Sequence, residues 1–158
     1  MPNVLRLDPH DAKLGLLTPF LAQRVERYTH TYQPEVVAAE YASAVMAKLW
    51  LGDPSILALG IVDPESAALL GHALAVVERF GSRVRVEITQ LQADQNVGDA
   101  RYQALEHVFG WAKEQGIEEI LLFTNRDGKE FESKAGFKRL RTVHRYRPPS
   151  APEGEVHA

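Results

Sequence analysis

The stretch RVRVEITQLQADQNVGDARYQALEHVFGWAKEQG, Arg83 to Gly116, changes its hydrophobic period once, and that change decides the fold. Val84, Val86 and Ile88 alternate with Arg85, Glu87 and Thr89, the period-two signature of a strand with one buried and one more polar face. After Gly98 the spacing becomes three and four: Ala100, Ala104, Leu105, Val108, Trp111 and Ala112 make one apolar helical stripe. ADQNVGDA between them reads as a polar turn. A strand that feeds a helix through a turn with outward-pointing amides is a ready anion site.

Working outward from this unit, Gly81-Ser82 is too short for a helical crossover, so the strand from Arg83 is expected antiparallel to the preceding apolar run, ALLGHALAVVERF. That run pairs in turn with SILALGIVD across Asp63-Pro64-Glu65, giving a meander. On the other side Gly116 resembles a helix C-cap glycine, and IEEILLFTN is an apolar strand reached by a helical crossover, hence parallel to the strand from Arg83. Its end, at Thr124 and Asn125, is thereby expected beside the polar turn. DGKEFESKAG reads as a short helix ended by Gly136, and FKRLRTVHRYR as a terminal strand that slips once between Phe137 and Leu140. Toward the N-terminus, Val4 to Leu7 reads as a short strand. Asp8-Pro9 and Thr18-Pro19 each supply an N-cap and a first-position proline, predicting helical pieces over Pro9 to Gly15 and Pro19 to Tyr28. A helix from Pro34 carries the stripe Val37, Tyr41, Ala44, Val45, Lys48 and Leu49 and ends at Gly52 and Pro54.

The 158 residues, 45% hydrophobic and 25% charged, suit one domain, expected over residues 1–147, with PPSAPEGEVHA (148–158) as a Pro-rich tail too poor in apolar groups to pack alone. A net charge of −3 argues against non-specific nucleic-acid binding, which needs a basic surface. There is no cysteine, so thiolate nucleophiles, disulfides and thiolate metal sites are excluded, and a reducing cytoplasm is the simplest compartment. No apolar stretch approaches the ~20 residues needed to span a bilayer, so a soluble protein without a membrane partner is expected. The six histidines show no metal-ligand spacing.

From roughly Ser55 to Arg147 the chain resembles the GNAT-type N-acetyltransferase superfamily. The resemblance rests on the meander, EITQLQ on the fourth strand, Q-N-V-G-D-A at the head of the long helix, WAKEQGIEEILLFTN into the fifth strand, and FESKAGFKRLRTVHRYR closing the domain. Gln95, Gly98 and Ala100 fit the family pattern of Gln or Arg, two residues, Gly, one residue, Gly or Ala. The resemblance implies an α+β protein in three α/β layers, a mixed, mostly antiparallel sheet flanked by helices. It also implies transfer of an acetyl group from acetyl-CoA to an amine of a small molecule or a protein. Leu91, Ala93, Gln95, Gly98, Ala100 and Asn125 are then the cofactor positions, and Glu87 is the general base.

Three features depart from the family. The stretch from Leu91 to Gly98 is shorter than its usual loop. Asp94 and Asp99 put carboxylates near the cofactor's phosphates, where one at ~4 Å and an effective dielectric near 20 would repel by about 4 kcal/mol per charge pair. The phenol that protonates the leaving thiolate is expected at Glu132, beside Phe131, and is missing. Tyr102 and Tyr146 are substitutes between which spacing does not choose; Tyr146, in the closing strand, is the candidate retained. On the alternative reading, Asp94, Asn96 or Asp99 caps the helix and consumes the amides that would hold phosphate. Glu87 is then an exposed strand glutamate opposite an arginine. The corresponding second function is a non-catalytic GNAT-like structural or interaction subunit of a larger assembly, for example a phage particle, with the N-terminal helices or the tail as homo- or hetero-oligomer contacts.

Overall fold

The computed structural model describes residues 2–18, 34–122 and 129–139. The chain divides into two compact units, Met1–Arg126 and Asp127–Ala158. In the first, β1 (Asn3–Arg6), β2 (Ile56–Val62), β3 (Leu69–Phe80), β4 (Arg83–Ala93) and β5 (Ile120–Leu122) form one sheet in sequential order. β1 to β4 run antiparallel and β5 is parallel to β4, as the helical crossover requires. This is the mixed, mostly antiparallel α+β sheet expected.

Two helices cover opposite faces. α1 (Pro34–Trp50) and a 3-10 helix (Ala12–Leu17) bury Ala42, Met46, Leu49, Leu14 and Leu17 against Ile56, Ala58 and Leu74. On the other face lies α2 (Ala100–Glu114), which buries Ala100, Ala104, Leu105, Val108, Trp111 and Ala112, the stripe read from the sequence. With both faces covered, all seven residues of β2 are buried, so alternation in that strand is weak. α2 stops where Gly116 N–H donates to Lys113 O at 3.0 Å and Ile117 N–H to Ala112 O at 2.9 Å, the paired bonds of a glycine-ended helix.

Two local expectations are corrected. The first helical piece begins at Ala12 instead of Pro9, because Asp8 closes a turn by accepting the Asp11 amide at 3.0 Å and His10 takes a positive φ of 70° that a helix cannot use. Asp11 is the cap, its carboxylate accepting the Lys13 amide at 2.9 Å. On α1 the buried stripe is Ala42, Met46 and Leu49 with Val45 half-buried, while Ala44 and Lys48 are exposed. The alanine-rich sequence offers two neighbouring stripes, and the one carrying Met46 buries more apolar surface. The side chains of Val37 and Tyr41, the piece over Pro19 to Tyr28, the terminal strand beyond Arg139 and the tail lie outside the described residues.

The second unit contains α3 (Lys129–Ala135), the short helix expected before Gly136, with Glu130 and Lys134 paired at 3.2 Å and Phe131 buried.

Candidate active site

The site is set by one extra residue in β4. Leu74 pairs with Gln90 but its neighbour Ala75 pairs with Ile88, so Thr89 is a bulge, and its hydroxyl donates to the Leu74 carbonyl at 3.2 Å. A bulge reverses which side chains meet which face. Before it, Val86 and Ile88 lie on the α2 face and Arg85 and Glu87 on the opposite one. After it, Leu91 and Ala93 take the α2 face, and Gln90 and Gln92 the other. The signal was in the sequence: apolar residues occupy even positions up to Ile88 and odd positions from Leu91.

Beyond the bulge no described residue pairs with the outer edge of β4. β5 pairs with Val86, Glu87 and Ile88 and, among the described residues, no further. The Asp94 amide donates to Leu70 O at 2.9 Å, toward β3. Backbone direction alternates along a strand, so the amides and carbonyls of Leu91 and Ala93 point away from β3, toward the outer edge of β4. β4 lies unusually close to β3 here. A Cβ on Gly71 would stand 2.6 Å from Gln92 O and 2.8 Å from Ala93 Cα, so this position requires glycine. Sequence reasoning missed Gly71, although an isolated glycine within a strand pattern signals such an approach.

The turn follows directly. Gln95–Val97 form a 3-10 turn, Gly98 adopts φ 60° and ψ −131°, and α2 starts at Ala100. Buried Val97 and Ala100 join Ile61, with Ala93 packed alongside, and pin the turn to the sheet. The capping alternative is overturned for the two aspartates: neither the Asp94 nor the Asp99 side chain makes a cap hydrogen bond. Asp99, at φ −82° and ψ 3°, lacks the extended conformation from which a cap side chain folds back, and only its carbonyl bonds the helix, accepting the Tyr102 and Gln103 amides at 2.9 and 3.1 Å. Both aspartates are exposed. The Gly98 amide closes the 3-10 turn, whereas the amides of Ala100 and Arg101 have no hydrogen-bond partner among the described residues, at the positive end of a four-turn helix.

Glu87 stands on the face opposite α2. Arg85 reaches it along the same strand, with Nη2 at 2.6 Å and Nε at 3.1 Å, both on Oε1, and the two side chains are largely buried. The arginine is its own-strand neighbour instead of a cross-strand partner, and its guanidinium lies 4.7 Å from the centroid of the Phe80 ring. One carboxylate oxygen is thus held and the other, Oε2, has no partner among the described residues. On the same face His72, 1% exposed, sits with Nε2 2.7 Å from Gln90 Oε1. Gln90 Nε2 and Gln92 Oε1 are buried without a partner among the described residues. Of the remaining candidates, Gln95 lies in the 3-10 turn, Tyr102 is half-buried on α2 and Glu132 is exposed on α3, whereas Asn125 and Tyr146 lie outside the described residues.

No protein-family model and no curated protein matches the chain. Solved structures do. A predicted acetyltransferase with acetyl-CoA from Clostridium acetobutylicum superposes with a TM-score of 0.71 at 16% identity, covering 93% of this chain and 96% of that one. Glucosamine-6-phosphate N-acetyltransferase from Arabidopsis thaliana gives 0.66 at 13%, covering 94% and 99%. A GCN5-related N-acetyltransferase from Ralstonia eutropha gives 0.66 at 14%, covering 96% and 100%. Sequential strand order, parallel fifth strand and near-complete mutual coverage agree: the chain has the GNAT-type N-acetyltransferase fold.

Proposed function

We propose that the protein is an acetyl-CoA-dependent N-acetyltransferase acting on an amine. The observation that carries this is a turn that neither Asp94 nor Asp99 caps, beside a strand edge that no described residue pairs. The amides of Ala100 and Arg101 offer donors for a pyrophosphate, and the outward backbone groups of Leu91 and Ala93 offer strand-like hydrogen bonds to an extended pantetheine arm. These are the groups the cofactor needs, and the exposed Asp94 and Asp99 have solvent into which to turn. Bound acetyl-CoA would supply the activated acyl thioester; the chain's own residues orient it and take the proton.

Glu87 is the base of this reading. Arg85 fixes Oε1, which leaves Oε2 to take the proton that the acceptor's ammonium must lose before its neutral nitrogen can attack the thioester, on the face opposite α2. Tyr146 stands as the candidate acid for the thiolate. The solved structure with acetyl-CoA and the glucosamine-6-phosphate enzyme of the same fold support the cofactor and an amine acceptor respectively. No observation among the described residues favours the non-catalytic subunit. The test is thiol release from acetyl-CoA over a panel of amino sugars, polyamines and peptide N-termini. Acceptor-dependent release above the rate with water is expected, and release that no amine stimulates would refute the activity.

A further inference from the structure

Away from the turn, the second half of α2 borders a groove of about 370 Å³ on the side of β1 and β2. Its floor is apolar, with Leu57 and Leu59 of β2 and the ring of Trp111. Gly110 forms its notch. A Cβ there would meet nothing within 4 Å, so no neighbour demands glycine, although glycine is among the poorest residues for a helix interior. What its missing side chain does leave is space in the groove. Glu106 and Glu114 lie four residues to either side of Gly110 on one helical row, about 12 Å apart along the axis, both exposed and without an ion pair among the described residues. The one arginine of the rim, Arg6, is engaged by Asp8 at 3.5 Å, and His107 completes the wall.

We propose that this groove binds an elongated organic dication, an aliphatic α,ω-diamine, with its chain over the Trp111 ring and Gly110 and an ammonium group at each glutamate. An apolar floor takes methylenes, an aromatic face attracts cations, and two carboxylates set the span. About twelve residues of helix rise separate Gly110 from Gly98, roughly 18 Å, so this site is distinct from the turn and does not depend on the acetyltransferase reading.

Titration calorimetry of the full chain with the eight-carbon α,ω-diamine tests it, the eight-carbon monoamine serving as comparison. Saturable binding is expected, at least tenfold tighter for the diamine. Gly110→Leu, which fills the notch and raises helix propensity, should abolish binding without lowering the melting temperature. Glu106→Gln and Glu114→Gln should each weaken binding about tenfold and together remove the preference for the diamine, which keeps the test decisive even if the leucine variant folds poorly. Absence of heat at about ten millimolar diamine, equal affinity for the monoamine, or unchanged binding in the double glutamine variant would overturn the proposal.

Discussion

Arg85 Nη2 lies 2.6 Å from Glu87 Oε1, two residues apart on one face of β4, both side chains largely sheltered from water. The pair holds a carboxylate by one oxygen only. If that carboxylate is the base, Glu87→Gln removes the proton acceptor while keeping the Arg85 contact, and kcat with a responsive amine should fall about 10²- to 10⁴-fold with acetyl-CoA affinity unchanged. Steady-state kinetics together with a cofactor titration check this; a variant with full kcat would remove Glu87 from the chemistry.

Gly71 ties the fold to the site. An alanine there cannot keep its Cβ 2.6 Å from the Gln92 carbonyl, so β3 and β4 must part beside Gln92 and Ala93. Gly71→Ala should cost about 1–3 kcal/mol by urea unfolding and weaken acetyl-CoA binding as well. An alanine variant as stable as the parent would show that the strands are not so tightly apposed.

The meander, the parallel fifth strand and the face of α2 were legible because hydrophobic period and turn length are local, and each is written in a few residues such as Gly81-Ser82 or Val108 and Trp111. The bulge was legible in principle, as the change from Ile88 to Leu91 in phase, yet a period-two rule applied without a slip passes over it. The helix cap was not legible. Whether Asp99 folds onto its own helix depends on a backbone angle set by the packing of Val97 and Ala100 against Ile61, residues distant in sequence. The Arg85 contact shows the same limit: a strand glutamate suggests a cross-strand partner, and the bond instead runs along β4.

Gly98 holds φ 60° and ψ −131°, a region that L residues with a Cβ avoid, while space around it is open. Gly98→Val should therefore act through backbone conformation, costing about 1–3 kcal/mol and turning the amides at the head of α2. Loss of acetyl-CoA binding with the circular-dichroism spectrum retained is the expected result. Undiminished binding would place the cofactor elsewhere.

Asp63 closes the β2–β3 connection. The Ser66 hydroxyl at 2.8 Å and the Glu65 amide at 3.1 Å hold its carboxyl below the ordinary 3.8. A lowered folded-state value means that the stabilisation is present above the ordinary carboxylate range and is lost as pH falls through the folded value. Asp63→Asn should lower stability at neutral pH, and the gap from the parent should close as the solution is acidified below 3.8. Melting curves across that range decide it; a gap that persists in acid would mean that charge is not the cause.

The central claim is that the turn from Gly98 to Arg101 and the outer edge of β4 at Leu91 and Ala93 form a cofactor cradle. Thermal unfolding with increasing acetyl-CoA tests it most directly. A ligand at 100 times its dissociation constant should stabilise the native state by about 2.7 kcal/mol, a rise of roughly 5–10 °C for a chain of this size. A saturable rise that Gly98→Val removes is the predicted result, and an unchanged melting temperature at millimolar acetyl-CoA would contradict it.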